Sequence, residues 1–391
     1  MLKQIEGSHA VADVVAMCRP NVISAYPITP QTHIVEALAS IVGEGRLDAE
    51  FVNVESEFAA ASVVLGASAA GARTYTATSS QGLLLMSEVI YCIAGMRLPV
   101  VLTCANRAIS APLSIWNDQQ DSMALRDAGW IQLHAEDNQE AADLHIQAFK
   151  IAEQTFLPVM VCMDGFILTH AFEPVDVPDP KDVDAFLPPF KPKNIVDPRW
   201  PRGIGLFADP RFYLETRYIL HRAMEKSEDT INDVSAEFAK AFGRDSGGFI
   251  KTYKLKDADL VIVSMGSVVG TIKELIDRLE EEGKKVGLLQ ICSYRPFPRN
   301  AVYNALKDKM NIVVLEKSIS LGRGGILASD VRWSFPRAEK KDRNISSFIA
   351  GLGGRNIPID DLRYMVEKVE KEPVEIEFLG LKKELIAEKD L

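Results

Sequence analysis

The chain has 391 residues, 47% hydrophobic and 25% charged, which is room for two or three domains with substantial cores. Its 44 Lys and Arg against 54 Asp and Glu leave a formal charge of -10, which argues against a general nucleic-acid or anionic-membrane surface. No apolar run reaches the span of a bilayer, so a cytoplasmic protein with no membrane partner is expected.

From about residue 8 to 175 strand-like and helix-like segments alternate, which predicts a mostly parallel sheet covered on both faces. The strands are expected at Val22 to Ala25, Ala49 to Val54, Thr74 to Thr78, Val100 to Ala105, Ile131 to Ala135 and Val159 to Met163. Helices fall between them: Ser8 to before Pro20, Thr32 to Val42, Ser56 to Ala70, Gly82 to Ala94 and Gln139 to Gln154. Nine of the 20 prolines lie between Pro174 and Pro210, an extended segment that wraps over something. An amphipathic helix follows from about Leu214 to Phe242, closed by Gly243. A second α/β pattern begins near Ala258, with strands Leu260 to Met265, Val286 to Ile291, Ile312 to Leu315 and Ser347 to Ile349, and a helix from Val268 to Glu282. The tail from Leu381 to Leu391 is charged and reads as a surface helix or a frayed end. The expected domains are 1–175, a linker with the amphipathic helix at 176–256, and 257–391.

The stretch Tyr26-Pro27-Ile28-Thr29-Pro30-Gln31 follows the first strand, and its prolines clamp Thr29 at a strand's carboxyl end, where open α/β sheets place ligands. Its structural reading is a rigid strand-to-helix turn. Glu57 opens a helix of small and apolar residues, so its carboxyl group either stays ionised against the helix dipole or is held protonated by desolvation, and in either state an apolar slot lets it share a proton with a bound heterocycle. Glu55 and Glu57 are equally accounted for as helix-start acids. Arg107 follows the fourth strand, and its planar fork suits a substrate carboxylate or a salt bridge to the acidic loop Asn117-Asp118-Gln119-Gln120-Asp121. That loop, with Trp116, is read as a lid or a subunit contact. Ser79-Ser80-Gln81-Gly82 opens a helix after a strand and offers backbone N–H groups to an anion. Gly322-Arg323-Gly324-Gly325 and Gly351-Leu352-Gly353-Gly354-Arg355 serve either as anion sites or as tight turns. The six histidines are dispersed without metal spacing, and the five cysteines contain no C-x-x-C.

Eight segments in order resemble one family: Tyr26-Pro27-Ile28-Thr29-Pro30; Glu55-Ser56-Glu57; Ser80-Gln81-Gly82-Leu83; Asn106 to Pro112; Arg126 to Gln132; Asp164 to His170; Tyr294-Arg295-Pro296-Phe297-Pro298; and Ala350 to Arg355. Over almost its whole length the chain resembles the alpha subunit of a 2-oxoacid:ferredoxin oxidoreductase, closest in type to the pyruvate enzymes. The resemblance implies an α/β fold: a pyrimidine-type thiamine-diphosphate-binding, doubly wound domain followed by a transketolase C-terminal-like α/β domain. It also implies a site. Glu57 matches the glutamate that hydrogen-bonds the cofactor's aminopyrimidine, Thr29 and Arg107 match the residues that meet the oxoacid, and Pro27 and Ile28 are neighbouring cofactor contacts.

The implied reaction is oxidative decarboxylation of the oxoacid to acyl-coenzyme A and CO2, with electrons passing to ferredoxin. Scattered cysteines imply that the [4Fe-4S] clusters sit on partner chains. The lack of a Gly-Asp-Gly…Asn pattern implies that Mg2+ and the diphosphate are held by a beta subunit sharing the thiamine diphosphate, with gamma and delta subunits completing the assembly. Pyruvate is the expected substrate. The alternatives are a branched-chain or aromatic 2-oxoacid, a non-catalytic scaffold subunit, and a self-contained thiamine enzyme.

Overall fold

Strand Val100–Asn106 sends Val101 into one core and Val100, Leu102 and Cys104 into another. Strand Val159–Asp164 divides likewise, Val159, Val161 and Met163 to the first core and Met160 and Cys162 to the second. Alternate residues of a strand face opposite ways, so a strand apolar at every position has to be covered twice. Helices Gly7–Met17, Thr32–Gly43 and Asn138–Thr155 cover the first face, and Glu57–Ala69 and Ser87–Gly95 the second. The computed structural model describes residues 2–192, 194–201, 203–337 and 343–390.

The first compact unit comprises Met1–Ile250 and Cys292–Pro298. Its seven-stranded sheet runs Ser293–Arg295, Ile131–His134, Val159–Asp164, Val100–Asn106, Thr74–Thr78, Val22–Ala25, Glu50–Asn53, parallel apart from Ser293–Arg295. The chain order reverses at Val22–Ala25, which has Glu50–Asn53 on one side and Thr74–Thr78 on the other. The crevice outside the carboxyl ends there is the position at which doubly wound sheets bind ligands.

Three features of this unit were not expected. Leu2–Glu6 pairs antiparallel with Phe172–Asp176, and the segment carrying Tyr294-Arg295-Pro296 is an edge strand of the first sheet. The helix expected from Gly82 starts two residues earlier, at Ser80, and is interrupted at Met86. The amphipathic helix spans Tyr213–Phe242 and ends at Gly243 with φ of 70°, where glycine adopts the left-handed cap without steric cost. It buries Ile231, Val234, Ser235 and Phe238, while Tyr213, Leu214, Tyr218 and Ile219 near its start are exposed.

The second unit, Lys251–Ile291 with Arg299–Leu391, carries a six-stranded sheet. Its strands run Glu377–Phe378, Asn344–Ile349, Asn311–Glu316, Leu260–Ser264, Val286–Ile291, Ile250–Tyr253. Helices Val268–Glu281, Arg299–Leu306, Ile326–Ser334 and Ile359–Lys371 complete it. The tail contains short 3-10 turns at Lys383–Leu385 and Glu388–Asp390, and Leu391 lies outside the described residues.

The glycine run before Ile326 is a turn, and the helix that follows it already has its anion. Buried Glu316 accepts the backbone N–H groups of Ile326 (2.7 Å), Leu327 (2.9 Å) and Ala328 (3.1 Å), the free donors of the first helical turn. A Cβ on Gly325 would lie 2.3 Å from Glu316 Oε1 and 2.6 Å from Ser347 Oγ. Gly325→Ala is therefore expected to destabilise the protein by about 1–3 kcal/mol, read from the midpoint of denaturant unfolding. An unchanged midpoint would mean that Glu316 yields its place at no cost.

Candidate active site

Four loops leave the carboxyl ends of neighbouring strands: Tyr26–Gln31 after Val22–Ala25, Val54–Ser56 after Glu50–Asn53, Ser79 after Thr74–Thr78, and Arg107 onward after Val100–Asn106. Gln31 holds the first one down. It is fully buried, and its Nε2 donates to the carbonyls of Tyr26 (2.9 Å) and Ala77 (3.1 Å), stapling the turn to the adjacent strand. Gly165 leaves room for Pro30, whose Cγ lies 2.5 Å from where a Cβ would stand. Pro27 and Thr29 are exposed and Ile28 half-buried on this turn.

Arg107 and Thr29 are joined directly. Arg107, a residue only 6% exposed, donates from Nη1 to the Thr29 carbonyl (2.8 Å) and from Nε to the Ser114 carbonyl (2.9 Å). Nη2 has no partner among the described residues. Burial pulls the guanidinium below its ordinary pKa and the nearby Asp121 pushes it back up. The alternative of a salt bridge to the acidic loop is not realised: Asp121 binds the backbone N–H of Arg107 (2.9 Å) instead. In that loop Asn117, Asp118, Gln119 and Asp121 are all buried. Trp116 remains half-exposed, its ring 4.8 Å from that of Phe166.

Glu57 is the first residue of helix Glu57–Ala69, where Ser56 caps the start by accepting the Ala59 N–H at 3.2 Å. Its side chain is buried, in contrast to exposed Glu55, and has no hydrogen-bond partner among the described residues. Gly82 faces it. A Cβ on Gly82 would stand 2.6 Å from Glu57 Oε1, 2.8 Å from its Cγ and 2.5 Å from Thr78 Oγ1, a buried hydroxyl that also lacks a partner. Gly82→Ala is accordingly expected to displace the Glu57 carboxylate and lower turnover at least about tenfold, the order found for small misplacements of reacting groups. Steady-state kinetics on the assembled enzyme would check it, and wild-type turnover would mean that Glu57 has room to spare.

The N–H at Ser80, offered by the sequence to an external anion, is taken by an internal one. Asp121 Oδ2 accepts the backbone N–H of Ser80 (2.9 Å) as well as that of Arg107, and Oδ1 accepts Asn106 Nδ2 (2.7 Å) and the Ser122 N–H (2.8 Å). Burial raises the Asp121 carboxyl to about 7 against these donors, which favour its anion. The sequence placed Gln31 in the proline turn and Asp121 in the acidic loop without showing what either binds, since both act on backbone groups of neighbouring strand ends.

The dispersed histidines are partly gathered. Glu6 Oε1 pairs with His33 Nδ1 at 2.6 Å, and the His33 ring lies 6.4 Å from His9 and 4.6 Å from His170. Among the described residues no group of three or more His, Cys, Asp or Glu is placed to hold a metal, and no helix is long and apolar enough to cross a membrane. All five cysteines are free thiols.

Comparison with known proteins shows the family of the chain. Residues 13–236 match the family described as pyruvate flavodoxin/ferredoxin oxidoreductase, thiamine diphosphate-binding, and residues 258–362 match pyruvate:ferredoxin oxidoreductase core domain II. The chain is 48% identical to the pyruvate synthase subunit PorA of Methanosarcina barkeri, covering 98% of this chain and 97% of that one. It is 41% identical to the ketoisovalerate oxidoreductase subunit VorA of Pyrococcus abyssi, covering 94% and 93%. In fold it is similar to a 2-oxoglutarate:ferredoxin oxidoreductase from Magnetococcus marinus, with a TM-score of 0.74 at 22% identity, covering 94% of this chain and 65% of that one.

Proposed function

The chain belongs to the pyruvate:ferredoxin oxidoreductase family, and from that premise we propose that it is the alpha subunit of a cytoplasmic, thiamine-dependent enzyme converting pyruvate and coenzyme A to acetyl-coenzyme A and CO2. The observation that carries the reading is the Arg107 fork, held by the Thr29 and Ser114 carbonyls with Nη2 left over at the carboxyl ends of the strands. The higher identity to a pyruvate synthase subunit than to a ketoisovalerate one favours pyruvate.

Thiamine diphosphate, when bound, supplies the carbon nucleophile and the electron sink for decarboxylation. The residues present fit its aminopyrimidine: a buried carboxylate without a partner and an orphaned Thr78 hydroxyl beside it, both packed against Gly82. Glu57 would hold a proton against the ring and share it, a role that burial at a helix N-terminus permits in either charge state. Arg107 would orient the oxoacid by its carboxylate, with Thr29 at the 2-oxo group and Pro27 and Ile28 against the cofactor.

The remaining parts are assigned to other chains. A beta subunit would hold Mg2+ and the diphosphate, and gamma and delta subunits would complete the assembly, with the [4Fe-4S] clusters that pass electrons to ferredoxin on partner chains. Exposed Phe58, Tyr91, Trp200, Leu206, Phe207 and Phe212 supply the apolar surface such subunits would cover.

The test is anaerobic co-purification of the tagged full chain from its own cells, followed by coenzyme A-dependent reduction of a low-potential dye with a panel of 2-oxoacids. Pyruvate as the clear favourite supports the reading. A branched-chain favourite moves the substrate to the ketoisovalerate class, and no reduction in an assembly that contains thiamine diphosphate and iron overturns the catalytic role.

A further inference from the structure

One carboxylate touches both halves of the candidate site. Asp121 Oδ2 accepts two backbone N–H groups at 2.9 Å each, Arg107 from one strand end and Ser80 from the next. Arg107 carries the guanidinium that reaches Thr29, and Ser80 lies two residues before Gly82, the glycine against Glu57. Ser80 adopts φ of 48°, a left-handed conformation that a non-glycine residue keeps only when its surroundings hold it. Its hydroxyl has two acceptors in reach, the Ala108 carbonyl on the other loop and Gln81 Oε1. On the other side Oδ1 is held by Asn106 Nδ2 and the Ser122 N–H, and the residue is fully buried. Four N–H donors therefore converge on one fully buried acceptor.

We propose that Asp121 is the positioning residue that holds the Arg107 clamp and the Glu57-facing turn in a single geometry. The inference rests on the functional reading above. Its physical basis is that a carboxylate is acceptor-only, with room for four donors on two oxygens, and that bonds to a charged acceptor are about twice as strong as neutral ones. Neither loop has to find its place independently. Substrate clamp and cofactor turn shift together or not at all.

Two measurements on Asp121→Ala decide the matter. In the purified full chain, amide hydrogen exchange is expected to rise in both segments 79–83 and 106–109. In the assembled enzyme the oxoacid KM is expected to rise about tenfold and kcat to fall by a similar factor, with the KM for coenzyme A unchanged. In an Arg107→Lys background the same change is expected to raise KM no more than about threefold, because residues acting through one another are not additive. If Asp121→Ala does not assemble, Asp121→Asn keeps the shape but turns one of the two acceptor oxygens into an amide donor facing two N–H groups, and is expected to move the same quantities in the same direction. Unchanged KM in an assembled variant, full additivity with Arg107→Lys, or faster exchange in only one of the two segments would overturn the proposal. If the wild-type assembly reduces no dye with any oxoacid, the functional reading falls, and the exchange result alone decides whether Asp121 ties the two loops.

Discussion

Glu57→Gln is expected to lower turnover of the assembled enzyme by about 10²–10⁴-fold, the usual contribution of a positioned proton-transfer group. The substitution keeps the volume and a hydrogen-bonding end, so the packing against Gly82 and Thr78 survives. What it removes is the capacity to hold and release a proton. The side chain is buried and has no hydrogen-bond partner among the described residues, so none is bonded to it that could take over the proton. Ser56 still caps the helix, and the small residues Ala60 and Ala61 still pack, so assembly should be retained. Dye reduction by the purified assembly, with subunit content checked by size-exclusion chromatography, measures the effect. Wild-type turnover in an intact assembly would take Glu57 out of the mechanism and leave it as a helix-start acid.

Arg107→Lys is expected to raise the oxoacid KM by about 10–100-fold, as losing one or two hydrogen bonds to a charged group implies. The charge is conserved and the geometry is not. Arginine binds the Ser114 carbonyl through Nε and the Thr29 carbonyl through Nη1 and still has Nη2 to offer. A lysine ammonium is a single point on a flexible stem and has to choose between the loop carbonyls and the substrate. The Thr29 turn should loosen with it, which separates this variant from simple charge removal. Initial-rate kinetics across oxoacid concentrations give the answer, and an unchanged KM would reduce Arg107 to a strut between two loops.

The two glycine-and-serine turns bear on how such sites are found. Ser79-Ser80-Gln81-Gly82 and the run before Ile326 each follow a strand and open a helix, and each offers unpaired backbone N–H groups. In the folded protein both are satisfied from within, the first by Asp121, 41 residues downstream of Ser80, and the second by Glu316, ten residues before Ile326. The local string carries the donors; it does not carry their acceptors.

What the sequence determined by itself follows from short-range physics. The apolar runs at Val100–Asn106 and Val159–Asp164 require a sheet covered on both faces, Gly243 ends the long helix because its cap is left-handed, and the prolines around Thr29 forbid a further ladder. The order of motifs was enough to identify the family. Tertiary structure decided what lies between distant segments: Arg107 on the Thr29 carbonyl across 78 residues, Glu57 buried while Glu55 is not, Ser293–Arg295 on the edge of the first sheet, and His9, His33 and His170 drawn around Glu6. Helix and strand patterns depend on neighbours a few residues apart and can be read from the chain. The partner of a buried donor or charge is whatever the folded sheet brings within about 3 Å, and that depends on the register of every strand between them.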